Sequence, residues 1–389
     1  MPQMSSRERL LTAINHEEAD RVPFIIGAGN ATGIQMPAYQ RLKTALNIEA
    51  PDRYLYDWPE LGTADLDEAT LIRLGSDVRG LFDSHPAANI ERNRARPPGA
   101  PFFDSWGIGQ IEIEPGVWFP GIHPLAKATT TADLDAYPGW PDMDDPSRFA
   151  HMKAQAARLA AENQYAIMAT PWLLFPFERA MQMQGMEPFF INLAANPGFA
   201  AELLARCAHY CKMLMGHILE ELGENVDIVK IGDDLGTSAS LLISPRMYRR
   251  LLKPIHADYI AFIKERTKAK LFFHSDGDIF PLIDDLIEIG VDILNPIQTS
   301  AGKMSDLPTL KKRFGKKIVL CGAVDTTQVL PFGTPEQVRQ EVRQVIEQLA
   351  PGGGYILAAV HTIQKNVPPE NIIAMVDALH EYGRYGRAL

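Results

Sequence analysis

No apolar run among the 389 residues reaches the roughly 18 positions that a membrane-spanning helix needs. The opening stretch MPQMSSRERLLTAINHEEADRVPF carries no apolar core of the kind found in a secretory signal. Cysteine is scarce: Cys207, Cys211 and Cys321 form an odd, irregular set that excludes a disulfide framework. That usage fits a reducing compartment, so a cytoplasmic protein is expected. Cys207 and Cys211 stand four apart on one helix face and read as part of a buried apolar stripe. Positive charge is also short, with 38 Lys and Arg against 48 Asp and Glu and a net charge of −10. This balance excludes a nucleic-acid binder, which needs a cationic surface. No G-x-G-x-x-G follows the first candidate strand; GAGNATG has the wrong spacing, so a dinucleotide crevice has no support.

What is present is a regular alternation. From about residue 145 onward, apolar stretches of strand length follow amphipathic stretches of helix length: YAIMAT, VDIVKIGDD, KLFFHSDGD, VDILNPIQ, KKIVLCGAVD and GGYILAAVH. These strands are continuously apolar, as expected when both faces of a parallel sheet are buried. With VPFII near the N-terminus and VRGLF at 78–82 they make eight, the number that a closed (β/α)8 barrel needs. The expected architecture is therefore a single α/β domain over 1–389, a (β/α)8 TIM barrel with an elaborated N-terminal region. Residues 30–135, rich in Pro, Gly and Trp, are expected to form irregular loops and a hairpin (GQIEIE, GVWFPG) covering the barrel mouth. Trp58, Trp106 and Trp118 in that region fit a small satellite core better than a pocket wall for a flat substrate. Ser5 or Ser6 is expected to cap the first helix, and Ser244, followed by Pro245, a later one.

Active sites of such barrels form at the carboxyl ends of the strands. Here those ends carry chemistry in succession: Asp233 and Asp234, then His274 and Asp276, then Asn295 and Gln298, then Cys321 and Asp325, then His361 and Gln364. His274, Asp276 and His361 make a three-point metal site, a donor set that suits zinc and equally iron or manganese. Cys321 and Glu178 are the further candidate ligands; a cysteine in an apolar strand otherwise packs, and a glutamate there is otherwise solvated or salt-bridged. Asp233, Asp234 and His274 are the catalytic candidates. Adjacent carboxylates in an extended chain cannot face one point, so one aspartate is expected to line the pocket and the other to bond to backbone. Asn295, Gln298, Asp325 and Gln364 are the candidate substrate-binding groups. His151, His209, His217, His256 and His380 fall in helical stretches and read as surface or structural residues.

Several stretches, in order, resemble the uroporphyrinogen decarboxylase superfamily: RERLLTAINHEEADRVPF, KIGDDLGTSASLLISPRMYRRLLKP, HSDGDIFPLIDDLIEIGVDILNPIQ, GAVDTTQVLPFGTPEQVRQEV and GGGYILAAVHTIQKNVPPENIIAMVDALHEYG. The resemblance implies the same barrel, and a homodimer. It also implies one of two chemistries. Decarboxylases proper use no metal and grip their substrate's carboxylates with arginines after the first strand. Here IIGAGNATGIQMPAYQRL has none before Arg41. The other branch comprises zinc-dependent methyltransferases serving corrinoid proteins or coenzyme M, with a His-x-Cys at the fifth strand. In this chain His274 matches the histidine, Asp276 replaces the first cysteine, and His361 falls near the last. A His/Asp/His set makes a harder, more Lewis-acidic ion than a thiolate set, disfavouring thiol activation. The expected function is thus a metal-dependent methyltransferase of O-demethylase type, moving a methyl group from a small methoxylated or methylated substrate to a corrinoid on a partner protein. The alternatives are a metal-independent decarboxylase or lyase using His274 and Asp233 as proton donors, and a non-catalytic ligand-binding barrel.

Overall fold

The computed structural model describes residues 3–57, 60–97, 99–114, 117–172 and 175–386; Trp58 lies outside them. Among the described residues ten strands are formed: β1 (Val78–Leu81), β2 (Phe102–Phe103), β3 (Gly109–Glu114), β4 (Val117–Ile122), β5 (Ala166–Ala169), β6 (Ile228–Gly232), β7 (Lys270–His274), β8 (Ile293–Ile297), β9 (Val319–Val324) and β10 (Tyr355–Ala359). Seven of them build one parallel sheet in the order β1-β5-β6-β7-β8-β9-β10, and β2-β3-β4 form a separate antiparallel sheet.

The eighth stave differs from its sequence expectation. VPFII is not a regular strand but a short extended segment, joined to β10 by a parallel bridge from Phe24 to Leu357. Backbone bonds Ile25 N–H to Leu357 O (3.0 Å) and Leu357 N–H to Pro23 O (2.9 Å) hold one side. On the other side Asp77 N–H donates to Phe24 O at 2.9 Å, and the Asp77 carboxylate accepts from Phe24 N–H at 2.8 Å. Asp77 is in turn gripped by Arg9 and Arg21. The segment thus closes the seven-stranded sheet into the (β/α)8 barrel.

One apolar cluster shows the closure directly. It takes Ile25 from that segment and Val78, Ala166, Met168, Ile228, Phe272, Ile293, Val319, Cys321, Ile356 and Ala358 from the seven strands. Every stave points a residue inward, as a filled barrel requires. Leu10 and Ile14 of the N-terminal helix (Ser6–Ile14) plug the bottom. Ser5 caps that helix in a reciprocal bond pair with Glu8, which fixes where it begins.

The β3-β4 hairpin is the GQIEIE/GVWFPG pair. Trp118 joins Leu55, Tyr56, Phe102 and Trp172 in a satellite cluster, while Trp106 packs into the main core. Arg179 and Asp104, both buried, pair at 2.9 Å and tie the segment before the hairpin to the helix Pro176–Gln184. Among the described residues no helix is long and apolar enough to cross a membrane.

Candidate active site at the carboxyl ends of the strands

On β6 and β7 the inward alternation, carried one step above the apolar plug, delivers a polar group to the cavity. Phe272 points into the plug, so His274, two residues on, points into the space above it. Ile228 does the same on β6 and places Lys230 at that level. Above them opens a cavity of about 610 Å³ whose polar wall includes Glu178, Lys230, Asp234, His274, Asp276 and His361. Its opposite wall is apolar and includes Tyr56, Leu61, Phe119, Phe175 and Met181.

His274, Asp276 and His361 each offer a donor atom, and these atoms lie within 4.8 Å of one another. His274 Nε2 is 3.9 Å from Asp276 Oδ1, and His361 Nε2 is 3.7 Å from Asp276 Oδ2. Donors bonded at about 2 Å to one tetrahedral ion stand about 3.3 Å apart, so the widest pair, within 4.8 Å, would draw in by about 1.5 Å, shared between two side chains, to close the set. Asp276 Oδ1 is buried without a hydrogen-bond partner, a vacancy that a cation would satisfy. Burial pushes His274 down to about 3 and His361 down to about 4, so both imidazoles are neutral at pH 7 and carry the lone pair a metal needs. Burial, reinforced by Asp234, pushes Asp276 up to about 7. The residues present therefore fit a divalent ion with hard donors.

The tautomer of His274 is set from behind. Its Nδ1–H donates to Asn295 Oδ1 at 2.8 Å, leaving Nε2 free toward the cavity. Asn295 in turn reaches the Cys321 sulfur at 3.7 Å. The loop carrying Asp276 is fixed by close packing: Gly277 has φ +94°, and a Cβ there would sit 2.3 Å from the Gly236 carbonyl carbon. Asp276 N–H also donates to Asp234 Oδ1 at 2.9 Å.

The two neighbouring aspartates take separate roles. Asp234 lines the cavity. Asp233 is fully buried and accepts from Phe177 N–H (3.0 Å), Glu178 N–H (2.8 Å) and His256 Nε2 (2.8 Å). It holds the start of the helix Pro176–Gln184 rather than touching the cavity, which removes it from the catalytic candidates. His256 is the buried structural partner of this carboxylate. Glu178, the third residue of that helix, is half-buried and makes no ion pair among the described residues, where the sequence suggested a solvated or salt-bridged side chain. It lines the cavity, bonds to Asp234 through its side chain, and leaves Oε2 buried without a partner. Burial first, then the Asp234 charge, pushes its carboxyl well above the usual range, which favours its protonated form.

The four candidate substrate-binding residues do not line the cavity. Asn295 sits behind His274; Gln298 accepts Gly277 N–H at 2.7 Å; Gln364 donates to Thr362 O at 2.9 Å. Asp325 accepts from the backbone of Thr327, Gln328 and Val329 and serves as a local cap. Cys321 belongs to the apolar plug, its thiol pushed up to about 12 by burial, and is no ligand. Sequence reasoning missed Lys230. Its signal was a lysine inside the apolar stretch VDIVKIG, two positions beyond an inward isoleucine.

A closed (β/α)8 barrel with ionisable groups gathered at its carboxyl rim is the layout of an enzyme. The chain belongs to the uroporphyrinogen decarboxylase family, whose profile, described as Uroporphyrinogen decarboxylase (URO-D), matches residues 109–382. It is 28% identical over 293 residues to the uroporphyrinogen decarboxylase of Aliivibrio salmonicida, covering 72% of this chain and 76% of that protein. Over 76 residues it is 38% identical to the Psychromonas ingrahamii protein of that name, covering 20% of this chain. For the Pseudoalteromonas translucida protein of that name the identity is 30% over 146 residues, covering 36% of this chain. These matches span 21% and 38% of those two relatives' own lengths. Among solved structures, a methyltransferase from Methanosarcina mazei superposes with TM-score 0.68 at 18% identity, covering 98% of this chain and 99% of its own, which shows a shared fold.

Proposed function

We propose that this protein is a metal-dependent methyltransferase that takes a methyl group from a small methyl–oxygen compound and passes it to a corrinoid carried by a separate protein. The observation that carries the reading is the convergence of His274, Asp276 and His361 within 4.8 Å, with both imidazoles neutral. These three would hold the ion, zinc or another divalent metal. A hard divalent ion there would supply Lewis acidity toward the ether oxygen, easing departure of that oxygen with its electron pair. The chain's own groups complete the site. Glu178, whose protonated form burial favours, lines the cavity beside Asp234 and would deliver a proton to the departing oxygen. The apolar wall keeps water from competing for the methyl group. A corrinoid is too large to share this cavity with a substrate, so the acceptor would approach at the strand ends. The structural neighbour's name, methyltransferase, supports the reading at the level of fold.

A second reading, metal-independent decarboxylation of a small carboxylated substrate, is favoured by the relatives' name. The wall composition opposes a polycarboxylate substrate: Lys230 is its one Lys or Arg, among the described residues, beside three carboxyl groups. Arg41, the first arginine after the first strand, is engaged with the carbonyls of Lys365 and Val367. The decisive experiment incubates the purified protein with a methoxylated substrate panel and a reduced corrinoid protein, with and without a chelator. Methylcorrinoid formation abolished by chelation is expected. Carbon dioxide release indifferent to chelation would select the decarboxylase.

A further inference from the structure

We propose that Lys230 is the receptor for a carboxylate of the substrate, so that the cavity takes a small, flat, apolar-bodied anion rather than a neutral ether. This deepens the proposed function and rests on it for the methyl transfer, though not for the anion site.

Two lysines of the described residues are buried, each 6% exposed, and they differ in one respect. Lys43 is fully partnered, by Ala50 O at 2.6 Å and Asp52 at 2.7 Å. Lys230 has no carboxylate within the 4.0 Å of an ion pair and no hydrogen bond; its Nζ lies 5.6 Å from the centre of the Phe175 ring. The Lys230 stem is buried while its Nζ opens onto the cavity with no counter-ion of the chain's own, so an anionic group entering the cavity would supply the partner. The groups facing it are Glu178, Asp234 and Asp276, which act at longer range and oppose the burial that lowers Lys230 to about 8.

Lys230 is also the one Lys or Arg lining the cavity, among the described residues. The rest of the wall selects the body of the molecule. Tyr56, Leu61, Phe119, Phe175, Met181 and Leu242 present flat or adaptable apolar surface around about 610 Å³, the scale of a single small molecule.

The test uses 4-methoxybenzoate and its neutral analogue 4-methoxybenzamide, titrated calorimetrically into zinc-loaded and metal-stripped protein, wild type and Lys230→Met and Lys230→Arg. Wild type is expected to bind the acid about tenfold or more tightly than the amide, the scale of one charged hydrogen bond. Lys230→Met is expected to abolish that ratio while keeping the wild-type zinc content and melting temperature, and Lys230→Arg to restore part of it. Equal binding of acid and amide by the wild type, or an unchanged ratio in Lys230→Met, would overturn the proposal. If the protein takes up no zinc, the proposed function fails separately. The acid-to-amide ratio of the metal-stripped protein still decides the role of Lys230.

Discussion

His274 works as a donor only if its proton is on the far nitrogen, and Asn295 is the residue that puts it there, at 2.8 Å from Nδ1. Groups that orient a ligating histidine are worth about ten- to a hundredfold in metal affinity. Asn295→Ala is therefore expected to weaken zinc binding by that order, measured by competition with a chromophoric chelator, while the fold persists. Unchanged affinity would mean that the imidazole is oriented by its packing alone. Legibility in the sequence follows the same geometry. His274, Asp276 and His361 stood out because polar residues directly follow buried strands, and strand ends of a barrel share one rim. Asn295, Gln298, Asp325 and Gln364 stood at the same ends, yet their side chains are spent on His274, on Gly277, on a local cap and on Thr362. Chain position gives the rim; side-chain direction and backbone demand decide who reaches the cavity. Lys230 was hidden for the opposite reason, because a lone lysine in an apolar run ordinarily reaches out to water along its aliphatic stem.

At the scale of elements, the helix Pro176–Gln184 is the part whose position matters most, because it carries Glu178 into the cavity. Its first turn has no side-chain cap of its own, and Phe175 precedes it. The caps come from another strand: Asp233, just beyond β6, accepts the N–H groups of Phe177 and Glu178 and is itself braced by His256. A carboxylate at a helix start also complements the helix dipole. Asp233→Ala strands two backbone donors and a buried histidine, and is expected to cost about 3 kcal/mol of stability in urea unfolding. A variant as stable as wild type but inactive would return Asp233 to the chemistry. No sequence rule revealed this contact, since the partners lie 55 and 56 positions apart. Local rules did well where the partners are local: Ser5 with Glu8 and Ser244 with Met247 begin their helices where the capping residues predict. The first stave was legible as an apolar segment but not as an irregular one. Its pairing depends on Asp77, a side chain that substitutes for a ladder bond.

At the scale of the whole molecule, the seven-stranded parallel sheet and its closing segment surround one apolar plug, and the chemistry sits directly above it. Closure brings His274 of β7 next to His361 beyond β10, with ring centres 5.4 Å apart, although 87 residues separate them in the chain. The β3-β4 hairpin places Phe119 and Pro120 in the cavity wall, so the elaborated N-terminal region shapes the pocket as well as the surface. The net charge of −10 gives the molecule no general attraction for an anionic ligand, which makes the local balance around Lys230 and the three donors decisive. The central claim is that these donors hold a metal ion. It is tested by elemental analysis of the purified protein after dialysis against zinc, comparing wild type with the His274→Ala/His361→Ala double variant. One equivalent of zinc per chain in the wild type, and about a tenth or less in the folded double variant, is the expected result. A wild type that retains no metal, or a double variant that retains as much, would contradict it.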